Sequence, residues 1–261
     1  MKTYGYEDLR GRYEAMASCA IVEARFSTEV VGGMSADREG VGAFVRHHLH
    51  LSGQEADDAI ARIMNEEIGE RDVPSETGEL KEKLSYGVNV IRRDAKGPFL
   101  LSHMPKACLK TAASRLGIFA KLRGSKGDMA EMGEVLASGI SLLDPDAPQK
   151  IYLIDCDADV PVTTHFRQFK GRIQSPQGSA SIIHDSECAP AGTRFSFAMR
   201  YYPGKIREAD IVDIMASAMI IGLGSCKAFD TGKFQITKLM FEEGKAPKRG
   251  KVEESEQVIA E

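Results

Sequence analysis

The first readable pattern in the chain is alternation. From Cys19 to Val31 (CAIVEARFSTEVV), Val22, Ala24, Phe26, Thr28 and Val30 fall on one side, and Glu23, Arg25, Ser27 and Glu29 on the other. A period of two over this length predicts one long, half-buried strand. GGMSAD follows, with Ser35 or Asp37 placed to cap a helix running to about His50. Ser52 opens a second helical pattern, with Ala56, Ile60, Ile63, Met64 and Ile68 as its apolar positions. Arg71–Lys83 is polar and reads as a loop, and Tyr86–Ile91 as a short strand before Gly97-Pro98. Pro105 suits the first position of a helix whose apolar stripe is Leu109, Ala112, Ala113, Leu116 and Phe119.

Further on, Ile151–Ile154 is a compact strand. Thr193–Tyr201 alternates, with Phe195, Phe197, Met199 and Tyr201 on one face. Ile206–Ile220 reads as a helix burying Ile211, Ile214, Met215 and Ala218. A glycine-rich loop, GLGSCKAFDTGKF, leads to a last strand near Phe234–Leu239. The core order is therefore strand, helix, strand, strand, helix, strand. This predicts an α+β fold with a ferredoxin-like (RRM-like) βαββαβ core and helical and loop insertions. One domain is expected over residues 1–242, with insertions at about 35–95 and 120–190. The polar tail 243–261 is expected to be disordered. That topology serves many unrelated activities and assigns none.

Composition narrows the classes. The chain has 261 residues, 43% hydrophobic and 28% charged, enough for a sizeable core and unlike a disordered chain. Its apolar runs fall short of the roughly 20 residues that cross a bilayer. MKTYGYEDLRGRYE carries Glu7, Asp8 and Glu14 and no apolar core, so it does not read as a signal peptide. A cytoplasmic location with no membrane partner is expected. The five cysteines have no CxxC or CxxH spacing, so no metal or other cofactor is predicted. With no tryptophan and 7% aromatics, a platform of many stacked rings is not expected either.

Charge alters this picture. The net charge is −4, yet Ala95–Gly127 holds no acidic residue and seven basic ones: Lys96, Lys106, Lys110, Arg115, Lys121, Arg123 and Lys126. At 100° per residue, Lys106, Lys110 and Lys121 lie within roughly 60° of each other, beside the apolar stripe. A second acid-free stretch, Val160–His184, holds Arg167, Lys170 and Arg172, with His165 beside them. Such segregation suits a groove for a polyanion on an otherwise acidic protein. It equally suits a pair of basic surface loops balanced by acidic neighbours in space.

Two windows carry a family likeness. Pro98–Leu116 (PFLLSHMPKACLKTAASRL) is similar to the lysine- and arginine-bearing helix of the RAMP superfamily, which contains CRISPR effector backbone and processing subunits. Ile221–Phe234 (IGLGSCKAFDTGKF) resembles that family's C-terminal glycine-rich loop, with Gly222, Gly224 and Gly232 matching. The turn before the helix is Ser102-His103-Met104 rather than glycine-containing, and Lys227, Phe229 and Lys233 also depart from the pattern. These departures suit a distant relative, such as a phage-encoded one, outside a CRISPR complex. The glycines would let backbone amides approach a phosphate, with Lys227 and Lys233 adding charge. Glycines needed only for tight helix-to-strand packing explain the same residues.

Candidate chemistry is sparse. Asp155, Asp157 and Asp159 recur at a spacing of two; on a continued strand they would share a face able to hold Mg²⁺. On a solvated strand end they would do nothing. His47, His48 and His50 read as lying in one helix, with His47 and His50 a turn apart but no third ligand. Asp37 lies where the resemblance implies a catalytic aspartate in some RNA-cutting subunits, and also where a helix N-cap belongs. His103 and His165 border the basic stretches. The reading that follows is a non-catalytic subunit binding single-stranded RNA or DNA and assembling with copies of itself or related proteins. Its contacts would come from Lys106, Lys110, Arg115, Lys121, Arg123, Lys126, His165, Arg167, Lys170, Arg172, Gly222, Gly224, Lys227 and Gly232. The alternatives are a metal-dependent nuclease or nucleotidyl transferase using Asp155 and Asp157, and a structural oligomer subunit without nucleic acid.

Overall fold

The computed structural model describes residues 18–69, 85–117, 140–142, 150–175, 178–201, 206–225 and 229–242. The polar segment Arg71–Lys83, the tail from residue 243, Phe119, Lys121, Arg123, Lys126 and Lys227 lie outside these residues. No described helix is long and apolar enough to cross a membrane.

The fold is mixed α+β. Its central sheet has the order β12-β1-β11-β7, built from β1 (Ser18–Phe26), β7 (Ile140–Leu142), β11 (Arg194–Tyr201) and β12 (Phe234–Glu242), all antiparallel. Alternation in β1 and β11 puts Ala20, Val22, Ala24 and Phe26 beside Phe195, Phe197 and Met199 on one buried face. Helices α3 (His103–Arg115) and α4 (Glu208–Ile221) cover that face through Cys108, Leu109, Ala112, Ile211, Ile214 and Ala218. The opposite face carries Glu23, Arg25, Arg194, Ser196 and Lys238. Phe26, Phe195, Phe197, Tyr201 and Phe234 are all buried. Among the described residues, the sheet therefore offers no row of exposed rings for base stacking.

A second, five-stranded sheet runs β2-β10-β4-β3, with β9 on the other edge of β10. Its strands are β2 (Val30–Val31), β3 (Met34–Ser35), β4 (Ser85–Val90), β9 (His165–Ser175) and β10 (Gly178–Ala189). Helix α1 (Arg38–His48) and helix α2 (Gly53–Arg62), which continues as a π-helical turn over Ile63–Ile68, pack their apolar stripes beside it. Val41, Val45, Ala56, Ile60, Ile63 and Val90 make a second core. A third sheet joins β5 (Arg92–Asp94), β6 (Gly97–Leu101) and β8 (Lys150–Tyr152).

Several expectations change. Cys19–Val31 is not one strand: after Phe26 both Ser27 and Thr28 donate to the Lys233 carbonyl, and Val30–Val31 cross into the second sheet. Ile151–Ile154 adds side chains to the core but is not a full strand of the central sheet: β8 pairs with β6, only Ile154 bridges to Arg194 of β11, and Ile140–Leu142 takes the edge beside β11. The basic stretch after Val160 is not a loop but the long hairpin β9–β10, so the later insertion is rich in strands. Helix α3 begins at His103, two residues before Pro105. Helix α1 ends at His48, and His50 stands beyond it at φ 55°, so the three histidines do not share a helix. Asp37 does cap α1, accepting from the Gly40 amide at 2.7 Å, whereas Ser52 precedes α2 without a side-chain cap.

Candidate functional site

An open groove of about 360 Å³ lies where the two cores meet. The Gly32–Gly33 link between β2 and β3 forms its floor, α1 one wall through Phe44 and His47, and the start of α3 the other through His103 and Met104. A Cβ on Gly32 would lie 2.4 Å from the Val90 carbonyl carbon, and one on Gly33 2.6 Å from Ser225 Oγ. Glycine is required at the first position because two backbone segments touch. Below the groove, Arg92 lies 5.4 Å from the centre of the Phe44 ring and 5.7 Å from that of Phe99. Arg92 is ion-paired with the buried Glu67. Its burial lowers the guanidinium below its ordinary value against the opposing pull of Glu67. That charge is committed to holding the walls together.

Helix α3 leaves the groove with no acidic residue in its sequence and no side-chain cap at Ser102. His103, Lys106 and Lys110 recur at i, i+3 and i+7, on one side of the helix. His103, Lys110 and Arg115 are exposed and Lys106 half-buried. The positive end of the helix dipole and three basic side chains therefore occupy one end and one side of the same element.

The second basic stretch is built differently. Arg167 donates to Glu29 Oε2 at 2.6 Å, and His165 Nε2 lies 3.1 Å from Glu29 Oε1. Burial acts to raise the Glu29 carboxyl, but Arg167 and His165 outweigh it and hold the group below its ordinary value. Lys170 is exposed on β9, and the Arg172 side chain lies outside the described residues. Nearby, Glu187 is buried and binds Arg93, accepts from Thr164 Oγ1 at 2.6 Å and from the Ile91 amide at 2.9 Å. Sequence reading missed this anchor, because a lone glutamate in an alternating strand carries no signal of its partners.

The glycine loop packs against the crossing from β1 to β2. Gly222, Gly224 and Gly232 have φ of 80°, 82° and 75°. A Cβ on Gly224 would sit 2.7 Å from the Val31 oxygen, and one on Gly232 1.7 Å from the Leu223 oxygen. The amides of Leu223, Ser225 and Gly232 donate to Gly232, Val31 and Glu29 carbonyls. These three amides are used within the fold, so the loop's visible task is to shape the wall behind Gly33. Lys233 pairs with Asp230.

The aspartates do not share a strand face, although Asp155, Cys156 and Asp157 bring ligand atoms within 4.8 Å of one another. The chain turns after the Ile154 bridge, and Asp155 Oδ1 accepts from the amides of Asp157 and Ala158 at 2.9 and 3.1 Å. Those bonds hold its carboxyl below the ordinary value. Asp159 reaches Arg194 at 3.2 Å. Asp37 is likewise lowered, by Ser35 and then the Gly40 amide, the partners expected of a cap.

No protein-family model matches the chain, and no curated protein sequence is recognisably similar to it. Among solved structures it is similar to a chain of a type III-B Cmr-beta assembly bound to cognate target RNA, seen by cryo-electron microscopy. The TM-score is 0.45 at 13% identity, over 92% of this chain and 66% of that one. It is also similar to a chain of a type IV-B CRISPR complex, with TM-score 0.37 and 11% identity over 94% of this chain and 100% of that one. At these values neither likeness determines the fold or the activity of this protein.

Proposed function

We propose that the protein is a non-catalytic, single-strand nucleic-acid-binding subunit, RNA being the first ligand to test, that assembles with copies of itself or related chains in the cytoplasm. The observation that carries this reading is the acid-free face of α3 leaving the groove. His103, Lys106 and Lys110 lie along one side of a helix that starts beside the groove of about 360 Å³, and Arg115 is exposed near the helix's far end. Backbone phosphates would follow this edge, giving affinity with little sequence preference. Lys121, Arg123, Lys126, Lys170, Arg172 and Lys227 would add positive charge. Gly222, Gly224 and Gly232 would act by shaping the wall.

The order β12-β1-β11-β7 with two helices on one face supports a ferredoxin-like core, in keeping with the RAMP-like windows. Assembly is supported by the half-exposed apolar row Ile21, Ala198 and Met240 across the other face. The non-catalytic reading is favoured by the turn and cap bonds that already occupy Asp155 and Asp37.

The test is binding of labelled single strands of several sequences to the purified chain across a salt series. Log affinity should fall linearly with log salt, by roughly 0.7 per phosphate bound, at similar values for every sequence. Absence of binding at low salt overturns the reading. Mg²⁺-dependent cleavage or extension that disappears in Asp155→Asn/Asp157→Asn would replace it with the enzyme alternative.

A further inference from the structure

The hairpin β9–β10 meets the chain crossing before β2 at a cluster that includes His165, which the sequence reading also named as a nucleic-acid contact and which Glu29 engages here. His165 on β9 and Cys188 on β10 are direct cross-strand partners, and Cys188 pairs with Val31 on the other side. Glu29 precedes β2 by one residue. Its carboxylate, the His165 imidazole and the Cys188 thiol present ligand atoms all within 4.8 Å of one another. We propose that Glu29, His165 and Cys188 form a binding site for one divalent transition-metal ion of the zinc class.

The donor set selects the metal. A thiolate and an imidazole are poor ligands for Mg²⁺ or Ca²⁺, which take oxygen, but with one carboxylate they suit Zn²⁺. Zinc bonds of about 2.3 Å to sulfur and about 2.0 Å to nitrogen or oxygen put tetrahedral ligands roughly 3.3–3.7 Å apart. The existing 3.1 Å between Glu29 and His165 is already near that range. The carboxylate is also oriented: Arg167 occupies Oε2, which leaves Oε1 facing the imidazole. Such outer bonds commonly aim a metal ligand. Cys188 is fully buried beside Val31 and Phe169, whereas the His165 side chain is 47% exposed. The ion would sit at the surface end of a dry wall, with a fourth position open to water. On binding, the thiol releases its proton to solvent and coordinates as thiolate.

The site would also have a mechanical consequence. The Glu29 carbonyl accepts from the Gly232 amide at 2.7 Å. Metal at Glu29 would therefore clamp the hairpin, the β1–β2 crossing and the glycine loop together.

The test uses Co²⁺ added to the full chain after chelator treatment, with Zn²⁺ as competitor. The expected result is one Co²⁺ per chain with thiolate-to-cobalt charge-transfer absorption and the ligand-field bands of a tetrahedral site, both displaced by Zn²⁺. The charge-transfer band should vanish in Cys188→Ala and persist in Cys156→Ser, which removes the exposed thiol of the Asp155–Cys156–Asp157 turn. His165→Gln changes a surface side chain and should weaken Co²⁺ binding roughly tenfold or more while the chain stays folded. It keeps the test decisive if Cys188→Ala misfolds. No charge-transfer band in the parent, a band that survives Cys188→Ala, or unchanged affinity in His165→Gln overturns the proposal. None of these outcomes depends on whether the protein binds nucleic acid.

Discussion

Two basic segments that look alike along the chain are opposites in space. On α3, His103, Lys106, Lys110 and Arg115 are carried by a helix with no carboxylate of its own, next to an open groove. On β9, His165 and Arg167 close on Glu29, and the surrounding chain is tied down by backbone bonds from the glycine loop. Absence of acid along the chain therefore does not by itself predict a positive surface, because on β9 a distant segment supplies the carboxylate. On α3, Lys110 and Arg115 are exposed. A strand side chain meets whatever the adjacent segment brings, and here that is a glutamate 136 residues earlier than His165.

The largest effect is expected on the tied-down side. Gly224→Val places a branched side chain at φ 82° with its Cβ 2.7 Å from the Val31 oxygen. Destabilisation beyond about 4 kcal/mol, read as insolubility or disappearance of the cooperative thermal transition, should result. A stable Gly224→Val protein defective only in ligand binding would return the loop to a phosphate cradle and erase half of the contrast.

The next effect belongs to α3. Lys106→Ala/Lys110→Ala should weaken single-strand binding on the order of tenfold, about 1.4 kcal/mol. It should flatten the salt slope by roughly 0.7 for each phosphate that is no longer neutralised. Thermal unfolding should stay close to that of the parent. An unchanged slope would remove this helix from the interface and make the two segments equivalent.

Arg167→Ala is the matched control. The Arg167 and Glu29 side chains are 52% and 29% exposed, so their pair should contribute at most about 1 kcal/mol to stability. Strand affinity should change less than twofold. A weakening comparable to that of the double lysine variant would show that β9 also meets the ligand.

The smallest effect is a pH dependence. Because the folded Glu29 value is depressed, its stabilising contribution is complete above the ordinary value of 4.5. It disappears as pH falls through the lower folded value. Thermal midpoints of the parent and Glu29→Gln should therefore differ at about pH 6 and converge in that acidic window. A gap that stays constant throughout would assign the stabilisation to shape rather than charge.

Much of this protein was legible without coordinates, and the legible parts share a cause. The buried faces Phe195–Tyr201 and Ile211–Ala218, the cap at Asp37 and the end of the strand before Asp155 all follow from local period or local hydrogen bonding, which neighbouring residues determine. Apart from the local hairpin β9–β10, the missed features required distant segments to meet. Nothing in CAIVEARFSTEVV says that Lys233 will collect two amides and send Val30 into another sheet. Ile151–Ile154 has strand character but no label naming β6 as its partner. The Glu187 anchor and the convergence of Glu29, His165 and Cys188 are likewise invisible to spacing, since each residue comes from a separate segment. The sequence alone determined the alternating face of β11, the apolar stripes of the helices and where lysine accumulates on α3. Only the tertiary structure decided sheet membership, which basic residues close on a distant carboxylate and which glycines are indispensable. Strand pairing and charge neutralisation depend on groups brought together from remote parts of the chain, and a linear pattern does not record their approach.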